Sequence, residues 1–538
     1  MPEARGRWRF AGWLLLAGAL VTLVAWPLLR LLLEGLDAGP GRLVDAVGAV
    51  GLAAVGNSLW TSALATLAAV GAGLGLALLT ERGTGSARRW LRLAILVPLL
   101  VPDFVTAISW GRAYGPAGLT ARLVGWDLPG LYGPAGIVLV LSVAAVPLAY
   151  LVIAAGIRVR AEPDLERAAR ASGATPFTAF RTVTLPLLAP VLVAAAGLVF
   201  VTSMNAFGTP AVLGRPAGFG TMTTRIYQDL AFSSADVAFL RVVGLALLLV
   251  VLGTAVVAVI DRATPSPERG GGPAGTPPTA SSAPWPAMVI AWAGVALTVV
   301  LPLLALLLTA LTRAVGLPPL PENLTLANFG RALDAAAIVG LRNSAVLATA
   351  AATIAVLLAL LGTSLAGRRR RLLGTAVTLT FALPGSVLAV AVLLAFGATL
   401  RDTLAIILLA YLAKLWALGQ RPLAAAADRV PGDLLRAARA SGAGASATAW
   451  TIAIPLLAPV LAAGWLLVFV FALHEVTISA LLYGPGTATL AVVILNLQQL
   501  GDPLVTSALA VILTALVAVA SAALLILRRP GWSWVSLP

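Results

Sequence analysis

The chain has 538 residues, of which 60% are hydrophobic and only 11% charged, with 14 Trp, a single His and no Cys. A soluble globular protein carries about 25% charged residues, so this chain cannot cover a water-facing surface of ordinary size. Apolar stretches of about twenty residues, the length that crosses ~30 Å of hydrocarbon, recur throughout, and the composition describes an all-α polytopic membrane protein. The missing Cys excludes disulfides, thiol catalysis and Cys-ligated metals, and the lone His474 excludes poly-His metal sites.

Twelve helices are expected, over roughly 11–33, 55–80, 90–111, 135–157, 185–210, 239–260, 286–312, 343–367, 372–396, 403–420, 454–482 and 504–527. The first runs long, lacks a small-residue cleavage site and is read as a retained helix rather than a signal peptide. The net charge of +15 follows this layout. The loops that share a side with the N-terminus hold 24 of the 36 basic residues, including Arg5, Arg7 and Arg9 and the run Arg368 to Arg371. That asymmetry predicts both termini in the cytoplasm and no nucleic-acid partner. The only lysine, Lys414, precedes Leu415 in an apolar span. A G-x-x-x-x-G-K-[ST] phosphate loop therefore cannot form, and any ATP-driven step requires another polypeptide.

Residues 263–286 are almost wholly Pro, Gly, Ser and Thr with little to bury, the composition of a flexible cytoplasmic tether. The tether separates a first six-helix core, 1–262, from a second, 287–538. A repeat supports the division. Residues 167–174 and 436–443 both read RAARASGA, and LPLLAPVL at 185–192 returns as IPLLAPVL at 454–461, each 269 residues later. Both copies fall on the same side of the membrane, so the repeats are parallel. In the first loop Pro163 opens a short helix with Asp164 and Glu166 at its positive end. Gly173 ends that helix, and after a second short segment, 175–184, Pro186 opens the next span. Pro431, Asp433, Gly442 and Pro455 repeat the grammar. Alone, such a loop reads as an interfacial turn; two copies in register read as a shared docking surface.

These loops resemble the EAA loop of ABC-importer permeases, E-A-A-x3-G-x9-I-x-L-P. Ala168, Ala169, Gly173, Val183, Leu185 and Pro186 fit it in the loop 163–186. Ala437, Ala438, Gly442, Ile452 and Pro455 fit it in the loop 432–455, with Ile454 for Leu, while Arg167 and Arg436 replace the leading Glu in both copies. The resemblance implies a MetI-like, type I importer architecture with two fused cores in a bacterial inner membrane. It implies two ATPase subunits bearing ATP and Mg, docked at these loops, and one periplasmic or lipid-anchored solute-binding protein. No catalytic group, cofactor or resident metal is expected in the chain itself. Segments 205–228 and 473–502 are most similar to iron(III) permeases, with thiamine, polyamine and aminophosphonate permeases as further resemblances. The alternative from another class is an ion- or proton-coupled secondary transporter.

Polar groups within spans are costly, roughly 2.5–3.5 kcal/mol for a central Asp, Lys or Arg, and so face protein or water. His474 and Glu475 are expected late in the eleventh helix, with Asn205 and Ala206 in the same register of the first half. Asp103, after Val101-Pro102, and Lys414 in the tenth helix complete the pathway candidates. The blander readings are a structural His474–Glu475 pair, an Asp103 helix cap near the outer surface, and a Lys414 that snorkels or pairs with a carboxylate. Pro102 and Pro384 are placed to break their helices.

Overall fold

The computed structural model describes residues 2–82, 85–160, 163–263, 285–365 and 370–526, so most of the proposed tether lies outside the described residues. Among these, the fold is helical throughout, with one isolated β-bridge between Thr312 and Leu324. The first half contains α1 (Phe10–Ala38), α2 (Pro40–Glu81), α3 (Ser86–Leu100), α4 (Asp103–Tyr114), α5 (Pro134–Arg160) and α6 (Pro163–Ala171). It continues with α7 (Pro176–Met204), α8 (Gly208–Leu213), α9 (Met222–Phe232) and α10 (Asp236–Ala263). The second half repeats the order as α11 (Trp285–Leu311), α12 (Ala335–Leu365), α13 (Arg370–Ala382), α14 (Gly385–Leu400) and α15 (Leu404–Ala427). It ends with α16 (Gly432–Ala440), α17 (Ala449–Leu473), α18 (Thr477–Leu482), α19 (Leu490–Leu500) and α20 (Pro503–Ile526). Each helix thus has its counterpart ten labels later.

Ten of these helices are long and apolar enough to cross a membrane unbroken. The two other expected spans, 90–111 and 372–396, break at Val101-Pro102 and Leu383-Pro384; α3 and α4 meet at 104°. A proline lacks the N–H that would continue the ladder and holds its predecessor in extended backbone, as seen at Val101 (φ −103°, ψ 124°). The expected spans 185–210 and 454–482 are also too long, because α7 stops at Met204 and α17 at Leu473, with a short separate helix following each. The expected 55–80 span begins earlier, at Pro40, and kinks at Gly48 (φ 47°). A 42-residue helix would be ~63 Å long, and the kink sets its first turns apart from the spanning part.

Pro186 and Pro455 do not open their helices. Each lies inside a continuous run, and the helix of the first copy starts instead at Thr175-Pro176, where Thr175 Oγ1 accepts the Thr178 N–H at 3.1 Å. What lets the helix pass the proline is a wide turn just before it. Val21–Ala25, Phe180–Thr184, Ala296–Val300 and Ala449–Ala453 are π-helical, and each is followed by one residue and then Pro27, Pro186, Pro302 or Pro455. At all four the N–H before the proline reaches five residues back, as Leu185 does to the Phe180 carbonyl. The wider spacing relieves the crowding of the proline ring against the preceding turn.

In each half a helix pair, α2 with α5 and α12 with α15, forms the densest packing, joined by α7 or α17. Small residues allow close approach: a Cβ on Gly73 would fall 2.9 Å from Ala149 Cβ and 3.0 Å from the Tyr150 nitrogen. The first helix of each half crosses to the other half. α1 packs on α12 and α14, and α11 packs on α2, α3 and α4. The halves are interlocked. Gly73→Val is accordingly expected to destabilise the chain by ~1–3 kcal/mol through overpacking against backbone. Gly75→Val, on an open face with nothing within 4 Å, should leave thermal unfolding followed by Trp fluorescence unchanged.

Candidate functional site

The breaks in the spans assemble the site. After α7 the chain turns at Asn205, and after α17 at His474; each is the first residue past its helix, so the shared register is real and both lie at breaks rather than within a helix. The short helices α8 and α18 that follow are wholly buried, and α9 and α19 are buried over about half their residues. Together these four form a cap at the membrane face opposite the RAARASGA loops. The caps of the two halves touch, α8 against α19 and α9 against α18.

A dipeptide in each long helix holds its half's cap. In α2, Asn57 donates to the Gly220 carbonyl at 2.9 Å and Ser58 Oγ accepts the Met222 N–H at 2.8 Å. In α12, Asn343 donates to the Gly486 and Ala488 carbonyls at 2.9 and 3.0 Å, and Ser344 Oγ accepts the Leu490 N–H at 2.9 Å. These side chains satisfy backbone groups that open α9 and α19. Sequence reasoning missed them, although the Asn-Ser pair recurs at the same point of the second and eighth spans.

Besides Asp229 within α9, each half places one acid where its broken span meets the cap, from different elements. In the first, Asp103 follows Pro102 and opens α4; its Oδ1 accepts the Phe104 N–H at 2.9 Å, and a Cβ on Gly208 of α8 would fall 2.8 Å from that oxygen. In the second, the residue after the proline is Gly385, and the acid is Glu475 on the α17–α18 link. Glu475 Oε1 accepts Lys414 Nζ at 3.0 Å and Oε2 accepts the Ile478 N–H at 2.7 Å, so it pairs with α15 while capping α18. A Cβ on Gly385 would lie 3.1 Å from Lys414 Nζ and 3.4 Å from Glu475 Oε1. Glycine therefore stands opposite the acid in both halves. Asp103 lies within electrostatic reach of both Lys414 and Glu475, which brings charges of the two halves together.

His474 does not pair with Glu475. Its Nδ1 is buried without a hydrogen-bond partner, and its ring lies 5.7 Å from Phe471. Asn205 Oδ1 and Ser386 Oγ are likewise buried and unpartnered. Tyr411 completes the second-half cluster, donating to the Glu475 carbonyl at 3.2 Å with its oxygen 2.6 Å from Ser479 Oγ. Among the described residues, no group of three His, Cys, Asp or Glu is placed to hold a metal ion.

At the opposite face, α6 and α16 end in the same way. The Gly173 and Gly442 N–H groups reach the Arg170 and Arg439 carbonyls at 3.0 and 3.1 Å, and Ala174 and Ala443 reach Ala169 and Ala438 at 3.1 and 3.0 Å. Both glycines are left-handed, with φ of 90° and 82°. Ala169 and Ala438 are half-buried against the bundle, whereas Ala168, Ala437, Leu165 and Leu434 are exposed, as are Phe177 and Trp450. Arg167 pairs with Asp164 at 2.8 Å and Arg436 with Asp433, both on the exposed side. Leu185 and Ile454 open the helical turns that follow the two π segments.

The two loops are anchored differently. Glu166 on α6 binds Arg82 at 2.9 Å and accepts from Thr184 at 3.2 Å, beside a second cluster in which Glu81 binds Arg158 at 2.7 Å and Arg92 at 3.3 Å. Leu435 occupies the place of Glu166 in α16.

Two matches to one family model, over residues 69–265 and 351–529, identify the chain as a member of the binding-protein-dependent transport system inner membrane components. It is a multi-pass permease subunit of an ABC importer, from a family that works with ATPase and solute-binding partners; this displaces the secondary-transporter alternative. The matches fall in the two halves and leave out both exchanged first helices, α1 and α11. The chain is 26% identical over 96% of its length to the probable ABC transporter permease protein y4fN of Sinorhizobium fredii, covering 95% of that protein. It is 35% identical over 39% of its length to the molybdenum transport system permease protein ModB of Mycobacterium tuberculosis, covering 78% of it. It is also 26% identical over 36% of its length to the ferric transport system permease protein FbpB of Actinobacillus pleuropneumoniae, covering 29% of it.

Lys414→Met would leave the Glu475 carboxylate buried without its cation. The expected loss is about 2–3 kcal/mol, reduced from the fully buried case because the Lys414 side chain is 33% exposed. Adding Glu475→Gln, which removes the orphaned charge and keeps an acceptor for Ile478, should recover most of the loss in thermal unfolding.

Proposed function

We propose that this permease forms the pathway between its two halves, with both termini and both RAARASGA loops in the cytoplasm, and that α6 and α16 are the seats of two ATPase subunits. The observation that carries this reading is the duplicated loop. Two short helices with the same glycine stop each present a leucine, Leu165 or Leu434, at the same register and to solvent. An exposed leucine repeated on both halves is what a pair of identical partners would cover. ATP binding brings the ATPases together, and their motion passes through α6 and α16 into the helices behind them. A binding protein delivers cargo at the cap face. Asn205, Asp103, His474 and Glu475 line the joint that then opens, and Lys414 restrains it by holding Glu475.

For the cargo we propose a cation, with iron(III) first. Support comes from the ferric permease among the relatives and from Asp103, Lys414 and Glu475, whose formal charges sum to −1. The carboxylates are too few to chelate a metal tightly, so selection falls to the binding protein. A second cargo class, an oxyanion, is favoured by the higher identity to the molybdenum permease. Native mass spectrometry of the partner binding protein decides: bound iron supports the first reading, bound molybdate the second.

The coupling reading has its own test. Gly173→Val with Gly442→Val forces side chains into left-handed backbone at a cost of ~1–2 kcal/mol per site, with open space around both. The double variant should still insert, yet lose the ATPase on co-purification and lose ATP-driven uptake. Retention of both would sink it.

A further inference from the structure

One cavity lies outside the joint just described. It has a volume of about 230 Å³, sits in the cap at the seam of the two halves, and is lined by Arg215, Thr224, Tyr227, Gln228 and Phe232 of the first half and Gln499 of the second, with Pro210, Ala211 and Phe219 behind them.

The repeat does not require this cluster. Gly484 stands in the place of Arg215, and with α19 opening at Leu490 where α9 opens at Met222, Leu495 stands for Tyr227, Asn496 for Gln228 and Leu500 for Phe232. The cap of the second half closes without a cation here, so the guanidinium is an addition to the architecture rather than part of it.

Its chemistry has one sign. The lining holds one guanidinium, two hydroxyls and two carboxamides, and no carboxylate. The nearest acid on the same helix, Asp229, is spent elsewhere: its oxygens accept Arg225 at 2.7 and 3.0 Å and Arg241 at 2.8 Å. Arg215 has no ion-pair partner among the described residues; it lies 5.8 Å from the centre of the Phe232 ring, which steadies a guanidinium without neutralising it. The geometry is held. Arg215 sits on a tight turn closed by the Phe219 N–H to the Gly214 carbonyl at 3.0 Å, and Tyr227 is wedged edge-on between Phe207 and Phe232.

We propose that this cavity is a binding site for a small oxyanion of the tetrahedral type, taken from the aqueous phase at the cap face. A guanidinium binds such an ion through two N–H groups at once, and charge-assisted bonds of this kind are about twice as strong as neutral ones. The space equals that of about eight waters at ~30 Å³ each, enough for the ion and part of its hydration shell. Because Gln499 comes from the other half, an occupant touches both caps and favours the state in which they are together. The site is separate from the cargo joint and stands whichever cargo is carried.

The test uses the full chain in phosphatidylcholine nanodiscs, titrated with sulfate, inorganic phosphate or molybdate against chloride at matched ionic strength, and read by melting temperature and calorimetry. Saturable stabilisation by at least one oxyanion is expected. Arg215→Gln should weaken it roughly tenfold or more, the loss of a charge-assisted bond, and Gln499→Ala should weaken it less. Arg215 is exposed, so the variant's melting temperature without anion should match that of the parent and report its folding. The proposal is overturned by the absence of any saturable anion effect, or by an equal effect in Arg215→Gln. A response confined to phosphatidylglycerol added to the nanodisc in place of free anion overturns it as well, by assigning the pocket to lipid.

Discussion

In hydrocarbon a backbone N–H or C=O that leaves the helical ladder has no water to bond, and each one left bare costs several kcal/mol. Among the described residues this chain leaves the ladder at four interruptions within its spans, after Leu100, Met204, Ala382 and Leu473, and much of its polar inventory is spent on them. Asp103 accepts the Phe104 N–H in the first turn of α4, Glu475 accepts the Ile478 N–H in the first turn of α18, and the Asn57-Ser58 and Asn343-Ser344 pairs hold the starts of the cap helices. Pro27, Pro186, Pro302 and Pro455 meet the same demand differently, by a π turn placed ahead of each, whereas Pro147, Pro190, Pro422 and Pro459 stand inside their helices without one. A polar residue in a span is here mainly a marker of broken backbone.

That constraint also explains how two halves with one plan diverge. The plan needs an acceptor at the cap, and it is supplied once from the head of the broken helix, as Asp103, and once from the link opposite, as Glu475. Glycine stands across from each: at Gly208 a Cβ would collide with Asp103 and Phe104, and at Gly385 it would crowd Lys414 and Glu475. Only the second acid is paired with a cation, Lys414, and Lys414 lies on the helix that runs toward α16. At the other face the first loop is tied by Arg82 to Glu166, and Leu435 stands at that place in the second. The halves thus differ in their ion pairs, with Asp229 binding Arg225 and Arg241 in the first cap and Lys414 binding Glu475 in the second. The proposed cycle loads the two halves unequally, although the motors are taken to be the same.

Much of this was legible in the residues. Apolar runs separated by arginine-rich loops placed the spans, and two RAARASGA loops at one offset placed the repeat and its glycine stops. Pro102 and Pro384 announced the breaks. The ends of spans after Met204 and Leu473 were not legible, because the apolar run continues through α18 and the second half of α8 and no proline or glycine lies at residues 205–207 or 474–476. For the same reason His474 and Glu475 read as one pair within a helix, whereas the turn sends Glu475 to Lys414, 61 positions earlier. The exchange of α1 and α11 between halves leaves no local trace in an apolar sequence. The Asn-Ser pairs could have been found, had the repeat been followed back into the second and eighth spans.

The central claim is that the breaks at Asn205 and His474 are joints that face one side of the membrane and then the other. The natural absence of cysteine makes a direct measurement clean. With Asn205→Cys or His474→Cys as the sole thiol, a membrane-impermeant maleimide is applied from each face of proteoliposomes containing the assembled importer. The account predicts labelling from the loop face without nucleotide, and labelling from the cap face once ATP and the loaded binding protein are present. A thiol that answers to the same face in both conditions would contradict it.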